Sequence, residues 1–87
     1  MDRSINIIYF AWVRERLGID QEAIRLDDGV KTIEDLLALL TQRGAVYAEI
    51  LADAEKLRFA LDQDYAVLET PIGSAHEIAI FPPVTGG

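Results

Sequence analysis

The sequence predicts an α+β domain, in which one main helix packs across one face of a mixed β-sheet. Two strand-like runs open the chain, and the first of them is β-branched and aromatic over residues 5–11. One amphipathic helical pattern then covers residues 33–40, and three further strand-like runs follow it. Because connections within a sheet are short and do not cross, this order favours a sheet whose first and last strands lie side by side.

Length and composition are typical of one small globular domain. The 87 residues are 51% hydrophobic and 26% charged, which provides enough apolar side chains for a core. The absence of cysteine excludes a disulfide scaffold, a zinc–cysteine site and a thiol nucleophile of the chain's own. Any sulfur chemistry must therefore use sulfur from another source.

The net charge of −7, from 15 acidic and 8 basic residues, narrows the classes of partner. It argues against nucleic acid, whose phosphates require a clustered basic face, and it is compatible with an electropositive protein. The apolar start at residues 5–13 is too short and too interrupted to span a membrane. We therefore expect a cytoplasmic protein that binds neither nucleic acid nor membrane.

The first third of the chain predicts two strands with a short helix between them. The nearly continuous apolar run at 5–11 is typical of a central strand, so we place it in the middle of the sheet. Residues 12–17 form one or two helical turns, and Gly18 suits the left-handed position that ends a helix. Alternation at 22–26 indicates a half-exposed second strand, which the turn residues 27–29 close.

The main helix has a clear start signal. Thr32 can cap the first turn, where the acidic residues that follow it are favoured by the helix dipole. Gly44 suits the end of this helix, and residues 47–52 predict a further turn. The apolar residues fall at helical spacing and should pack on the sheet; they are Ile33, Leu36, Leu37 and Leu40.

The last third of the chain predicts a hairpin and a final strand. Residues 57–61 and 65–68 are strand-like and are joined by the turn at 62–64, with the second of them a short edge strand. A loop at 70–74 leads to the final strand at 77–81. Two prolines follow directly, and because proline lacks a backbone donor the chain must leave the sheet there.

The residues after this exit predict a tail. We divide the chain into a globular domain at 1–82 and a flexible reactive tail at 83–87. From Val84 the tail spans roughly 13 to 14 Å when extended, and Gly86 and Gly87 have no side chains, so it can enter a narrow channel in another protein. A terminal Gly-Gly taken alone is more commonly only a frayed chain end.

Other chemically distinctive residues favour structural or surface roles. Trp12 could anchor a partner or cover the core, while Arg14 and Glu15 favour a surface ion pair or a partner contact over catalysis. His76 lacks a second histidine or a cysteine cluster, so we expect a surface residue. We predict no metal site, because four acidic residues lack the spacing of a calcium loop and suit solvated turns: Asp27, Asp28, Asp62 and Asp64.

Three stretches of the sequence form a distinctive set. Residues 9–18 contain an aromatic-Ala-x-x-Arg-Glu-x-x-Gly motif, residues 32–36 start the main helix, and residues 77–87 end in Phe-Pro-Pro-Val-Thr-Gly-Gly. With these stretches the whole chain resembles the small, sulfur-carrying subunit of molybdopterin synthase, a family with the ubiquitin-like β-grasp fold. Two turns depart from the pattern: Asp62 stands where Asn is expected, and 74–77 replace an acidic lead into the last strand. The resemblance implies a β-grasp domain with a protruding C-terminal tail.

The resemblance also implies a chemistry for the tail. An ATP-dependent activating enzyme would join the Gly87 carboxylate to AMP, and a sulfur donor protein would convert the transient acyl-adenylate to a thiocarboxylate. The large catalytic subunit would then transfer this sulfur to cyclic pyranopterin monophosphate, and two such transfers would build the molybdopterin dithiolene within a heterotetramer. The chain would hold no permanent cofactor and would not be catalytic alone.

The same resemblance implies roles for the residues around Gly87. The segment that the partner's channel would grip is Pro83, Val84, Thr85 and Gly86. Because partner binding depends on a few aromatic anchors, we also predict an apolar patch near the exit, formed by Phe59, Tyr65 and Phe81.

Three other functions fit a Gly-Gly tail on this fold. They are a ubiquitin-like modifier that is joined to lysines, a sulfur carrier for thiamine or cysteine synthesis, and an interaction domain with an inert tail. The Phe-Pro-Pro-Val approach and the Phe-Ala-x-x-Arg-Glu opening favour the molybdopterin synthase family.

Overall fold

The computed structural model describes residues 3–83, and the predictions for residues 84–87 lie outside that range. None of the helices within residues 3–83 is long and apolar enough to cross a membrane. A short 3-10 helix that the sequence did not predict follows the third α-helix. The elements in chain order are β1 (Arg3–Tyr9), α1 (Ala11–Leu17), β2 (Gln21–Leu26), α2 (Ile33–Thr41), α3 (Ala45–Leu51), the 3-10 helix (Ala54–Lys56), β3 (Arg58–Leu61), β4 (Asp64–Ala66) and β5 (Glu77–Phe81).

The described strands form one mixed sheet in the order β2-β1-β5-β3-β4. β1 and β5 pair in parallel and the other neighbours are antiparallel, so the predicted adjacency of first and last strands is confirmed. The prediction that β1 is the middle strand is wrong, because β5 holds that place. The hairpin of β3 and β4 adds to the free side of β5, and this pairing is not encoded in the apolar run of β1.

Within residues 3–83, helices cover one face of the sheet and leave the other uncovered. Along β1, Ile5, Ile7 and Tyr9 are buried, whereas Ile8 is half-buried and faces the opposite side. The helices therefore lie on one side, and we call the other side the helix-free face. The core between sheet and helices includes Ile5, Ile7, Ile24, Ile33, Leu36, Leu40, Ile78 and Ile80.

The start of α2 confirms the predicted cap. Thr32 Oγ1 accepts a hydrogen bond from the Asp35 N–H, and the Asp35 carboxylate accepts one from the Thr32 N–H, which makes a capping box. The Asp35 carboxylate also accepts a hydrogen bond from the Lys31 N–H. The hydrogen bond from Lys31, followed by that from Thr32, lowers the pKa of Asp35. The predicted apolar stripe of α2 is buried throughout.

Two glycines that we assigned to helix ends behave differently. Gly18 ends α1 in the left-handed conformation, with φ 81°, as predicted. Gly44 does not end α2, which stops at Thr41; it precedes the first residue of α3 instead. The prediction for Gly44 was wrong because α3 follows only three residues after α2, and Gly44 is the last of these three and precedes the start of α3.

Candidate functional site

The candidate site is the point where the chain leaves the sheet. β5 ends at Phe81, and Pro82 and Pro83 continue outside any strand, as the sequence predicted. Because β1 and β5 are parallel, their last residues meet at the same end of the sheet, where the Phe10 N–H donates to the Ile80 carbonyl at 3.2 Å. Pro83 is half-buried, and the remaining predicted tail residues, Val84, Thr85, Gly86 and Gly87, lie beyond the described range.

Three aromatic side chains surround this exit. The Phe81 ring lies 6.4 Å from the Phe10 ring in an edge-to-face arrangement and 6.2 Å from the Tyr65 ring. Phe10 is 44% exposed and Tyr65 is 82% exposed. We call Phe10, Tyr65 and Phe81 the aromatic cluster. Exposed aromatic side chains grouped in this way are typical of a protein-binding surface.

The structure separates Phe59 from the two residues with which we grouped it. Phe59 is 4% exposed and pairs with Ile80 on the core side of the sheet. Phe81 is the next residue along β5 and therefore faces the opposite side, where Tyr65 meets it. The expected patch thus lacks Phe59, and Phe10 takes its place. Sequence reasoning missed Phe10 because only the parallel pairing of β1 with β5 brings it to the exit.

An uncharged band extends from the aromatic cluster across the helix-free face. Tyr65 pairs with Ala60, Ala60 with Ala79, and Ala79 with Ile8, so four strands contribute adjacent uncharged side chains. Gln21 of β2 pairs with Ile8 and continues the band to the sheet edge. We call this row the sheet band. Together with the aromatic cluster it provides an uncharged surface for a partner, bordered on the same face by Arg58, which pairs with Phe81.

A polar network lies under the helices. Glu22 Oε2 accepts hydrogen bonds from the hydroxyls of Tyr9 at 2.7 Å and Tyr47 at 2.8 Å, and Arg43 lies 3.3 Å from Glu22 Oε1. Burial, followed by the hydrogen bond to Glu22, raises the pKa of Tyr9, and the same two causes raise the pKa of Tyr47. The network joins β1, β2 and α3 around one carboxylate. The sequence did not indicate it, because its members are far apart in the chain.

Replacement of Glu22 by Ala is expected to lower the free energy of unfolding by about 2 kcal/mol, because it leaves the hydroxyl of the buried Tyr9 without an acceptor. Chemical denaturation measures this loss, and Glu69→Ala is the exposed control that should be near neutral. The loss should shrink when Tyr9→Phe is combined with Glu22→Ala. Equal losses with and without the Tyr9 hydroxyl would contradict the assignment.

The Asp62 side chain links the turn between β3 and β4 to the start of β5 by hydrogen bonds. Its Oδ1 accepts hydrogen bonds from the His76 N–H at 2.9 Å and the Glu77 N–H at 3.0 Å. These backbone donors, that of Glu77 foremost, lower the pKa of Asp62. Asp62 and Gln63 have φ values of 46° and 76°, as a tight hairpin turn requires. The imidazole of His76 is exposed, in agreement with the predicted surface role.

The lowered pKa of Asp62 predicts a pH-dependent contribution to stability. The stabilisation should be complete above the ordinary value of 3.8 and should disappear as the pH falls through the lower folded-state pKa, because the protonated group accepts these bonds less well. The unfolding free energies of the wild type and Asp62→Ala should therefore differ at pH 7 and converge at acidic pH. Asp64→Ala, at the start of β4, is the control. A difference that is constant with pH would argue against the carboxylate.

The remaining candidates lie at the surface of α1. Trp12 is 38% exposed, so it does not close the core, and Arg14 and Glu15 are exposed on α1. Within residues 3–83, no group of three or more histidine, cysteine, aspartate or glutamate side chains is arranged to hold a metal ion. The exit and its aromatic cluster are therefore the feature that the described residues offer for function.

The fold is a β-grasp of the ubiquitin-like type. Its features are the mixed sheet of this strand order, the helix across one face and the exit beside the parallel first and last strands. The model of the ThiS family matches residues 7–87, and the chain belongs to that family. The molybdopterin synthase sulfur carrier subunit of Haemophilus influenzae is 41% identical over 83 residues, which cover 95% of this chain and 99% of that relative.

Solved structures agree with the fold. SAMP1 from Haloferax volcanii superposes with a TM-score of 0.72 at 26% identity, covering 98% of this chain and all of the other. A chain in a complex of subunits 1 and 2 of the molybdopterin-converting factor from Helicobacter pylori matches with a TM-score of 0.60 at 23% identity, covering 98% of this chain and 100% of that chain. The second similarity is evidence for the fold alone.

Proposed function

We propose that this chain is the sulfur carrier subunit of molybdopterin synthase and that Gly87 carries the sulfur as a C-terminal thiocarboxylate. The observation that carries the proposal is the 41% identity to a relative of that name over almost its whole length. The open exit at Phe81 suits this role, because a carrier must present its end to more than one partner. A cytoplasmic location belongs to the same proposal.

The chemistry begins at an unreactive group. A terminal carboxylate has an ordinary pKa of about 3.3 to 3.7, so at neutral pH it is an anion and a poor electrophile. An ATP-dependent activating enzyme attaches AMP to the Gly87 carboxylate and releases pyrophosphate. Sulfide-level sulfur from a donor protein then attacks the acyl carbon, the C–O bond to AMP breaks, AMP leaves, and the thiocarboxylate remains. AMP and sulfur are thus transient groups and not resident cofactors.

The second half of the cycle takes place in the large catalytic subunit. The tail, from Pro83 through Val84, Thr85 and Gly86, enters its site, and the Gly87 sulfur attacks a side-chain carbon of cyclic pyranopterin monophosphate. The C–S bond forms as the C–O bond at that carbon breaks, and the oxygen leaves with phosphate or as water. Water then hydrolyses the resulting thioester, which leaves sulfur on the pterin and returns the Gly87 carboxylate, and a second loaded tail supplies the other sulfur of the dithiolene. The chain itself has no cysteine, so its sulfur comes from outside and the chemistry is completed on its partners.

The body of the domain supplies the docking surface for the large subunit. The aromatic cluster stands beside the exit, so a partner that covers it also receives the tail. Pro82 and Pro83 restrict the chain and so reduce the entropy lost on docking. The complex from Helicobacter pylori joins subunits 1 and 2 of a molybdopterin-converting factor, which supports a partner of this kind, and we propose a heterotetramer.

A second candidate is a ubiquitin-like modifier. The similarity to SAMP1, a small archaeal modifier protein, favours it, since the fold and a Gly-Gly end suit both roles. The two functions differ in the fate of the activated Gly87. A carrier ends as a thiocarboxylate, whereas a modifier ends as an isopeptide on lysine.

Intact-mass measurement separates these fates. The protein is incubated with ATP, the activating enzyme and the sulfur donor, and the expected product has one oxygen exchanged for sulfur at Gly87. Omission of ATP is the control and should leave the mass unchanged. An isopeptide-linked product without this exchange would favour the modifier, and an unchanged mass would argue against both.

A further inference from the structure

The outer strand β2 presents an unpaired hydrogen-bonding edge. In an antiparallel pair, alternate residues of a strand direct their backbone groups towards the neighbouring strand. The Tyr9 N–H donates to the Asp20 carbonyl at 2.9 Å. In the register of β1 and β2, the backbone N–H and C=O groups of Glu22, Ile24 and Leu26 therefore point towards β1. On the other side of β1, the Asn6 N–H donates to the His76 carbonyl and the Phe10 N–H donates to the Ile80 carbonyl, as the same alternation requires.

Gln21, Ala23 and Arg25 consequently direct their backbone N–H and C=O groups away from the sheet. Within residues 3–83 none of these backbone groups has a hydrogen-bond partner. The opposite edge is less open, because β4 has three residues and the Val67 N–H that follows is bonded by Thr70 Oγ1. The β2 edge is thus the longer free edge of the described sheet.

β2 also lacks the features that usually block an edge. Proteins protect such strands with prolines, bulges or several charges, because a free edge invites another strand. The six residues of β2 include no proline, and their register with β1 continues without a bulge. Two of the six residues are charged: Arg25 lies on the helix-free face with Gln21 and Ala23, and Glu22 lies on the helical side, where Tyr9 and Tyr47 bond its carboxylate. The edge can therefore accept a strand along three residues.

Charge and position indicate what the occupant is. A second copy of this chain would bring together two domains that each carry a net charge of −7, whereas an electropositive protein segment is attracted. Gln21 lies at the end of the sheet band, since it pairs with Ile8. A protein that covers the aromatic cluster and the sheet band therefore reaches the β2 edge.

We propose that β2 pairs with an extended, positively charged strand of the large subunit, which continues the sheet into the partner. This inference rests on the proposed function, because that function supplies the large subunit as the partner. Backbone hydrogen bonds to Gln21, Ala23 and Arg25 hold the added strand. Acidic side chains of the added strand are favoured only opposite Arg25. The aromatic cluster contacts the same large subunit at the other end of the interface, beside the exit of the tail.

Amide hydrogen exchange tests the pairing directly. The isotopically labelled chain is measured by NMR alone and with the purified large subunit. In the free chain the amides of Gln21, Ala23 and Arg25 should exchange quickly, and in the complex they should become at least tenfold slower. The amides of Glu22 and Ile24, which already bond β1, are the internal control and should change little.

A proline variant tests the same contact by affinity. Ala23→Pro removes the outward donor without removing a bond to β1, and proline is tolerated at such an edge position. It should weaken binding to the large subunit at least tenfold, whereas Ala23→Val, which keeps the donor, should bind like the wild type. Sulfur loading by the activating enzyme together with the sulfur donor reports that both variants are folded and functional.

Each result decides the proposal. Slower exchange of the three amides, together with weaker binding of Ala23→Pro, supports it. Binding of the large subunit with unchanged exchange at these amides overturns it while the proposed function stands. A chain that forms dimers through this edge instead, as seen by sedimentation, overturns it in favour of a second copy. Failure to bind the large subunit or to accept sulfur overturns the proposed function as well.

Discussion

Deletion of Gly87 is expected to abolish sulfur loading, with a loss of at least about 100-fold in rate. The deletion withdraws the carboxylate by one residue, about 3.5 Å, and displacements of even 1 Å at a reacting centre cost about 100-fold. The measurement is the initial rate at which the activating enzyme and the sulfur donor exchange oxygen for sulfur, followed by intact mass. The fold should be untouched, because the last strand, β5, ends at Phe81, six residues before Gly87.

Two control variants distinguish effects of the reacting C-terminus from effects of the folded domain. Gly86→Ala keeps the length of the tail but adds a side chain and restricts the backbone, so it should load more slowly than the wild type and faster than the deletion. Glu69→Ala, an exposed change in the domain, should load at the wild-type rate. A shortened chain that loads normally would show that Gly87 is not the reacting residue.

Features that depend on neighbouring residues could be predicted from the sequence. The Thr32 cap, the buried stripe of α2, the left-handed Gly18 and the exit after Phe81 all depend on spacing within one or two turns, and the structure contains each of them. The hairpin was also predictable, because its turn is short. Its special φ values fall at Asp62 and Gln63.

Features that depend on which strands become neighbours could not be predicted in the same way. The apolar run of β1 is compatible with several places in a sheet, and only the pairing of β5 with β3 decides which strand is central. The same pairing puts Phe59 in the core, because a strand alternates its faces and one position decides which side a ring occupies. The contacts of Glu22 with Tyr9 and Tyr47 likewise appear only after folding.

Tyr65→Asp is expected to weaken binding of the large subunit by about 30-fold, which corresponds to a hot-spot loss of about 2 kcal/mol. The Tyr65 ring contacts the Phe81 ring at the exit and is 82% exposed, so the change puts a charge into the proposed interface with little effect on the core. Isothermal titration with the large subunit measures the affinity. Thermal unfolding of the free variant should give nearly the wild-type midpoint.

The matched comparison is Phe59→Ala, which changes an aromatic residue on the neighbouring strand but on the other face of the sheet. It should lower the free energy of unfolding by about 3 to 5 kcal/mol, because it leaves a cavity in the core, while the remaining folded molecules bind the large subunit with nearly wild-type affinity. The two variants should therefore have opposite effects: Tyr65→Asp weakens binding and keeps stability, whereas Phe59→Ala lowers stability and keeps binding. If Tyr65→Asp bound normally and Phe59→Ala did not, the docking surface would lie on the helical side, and the aromatic cluster would have no part in it.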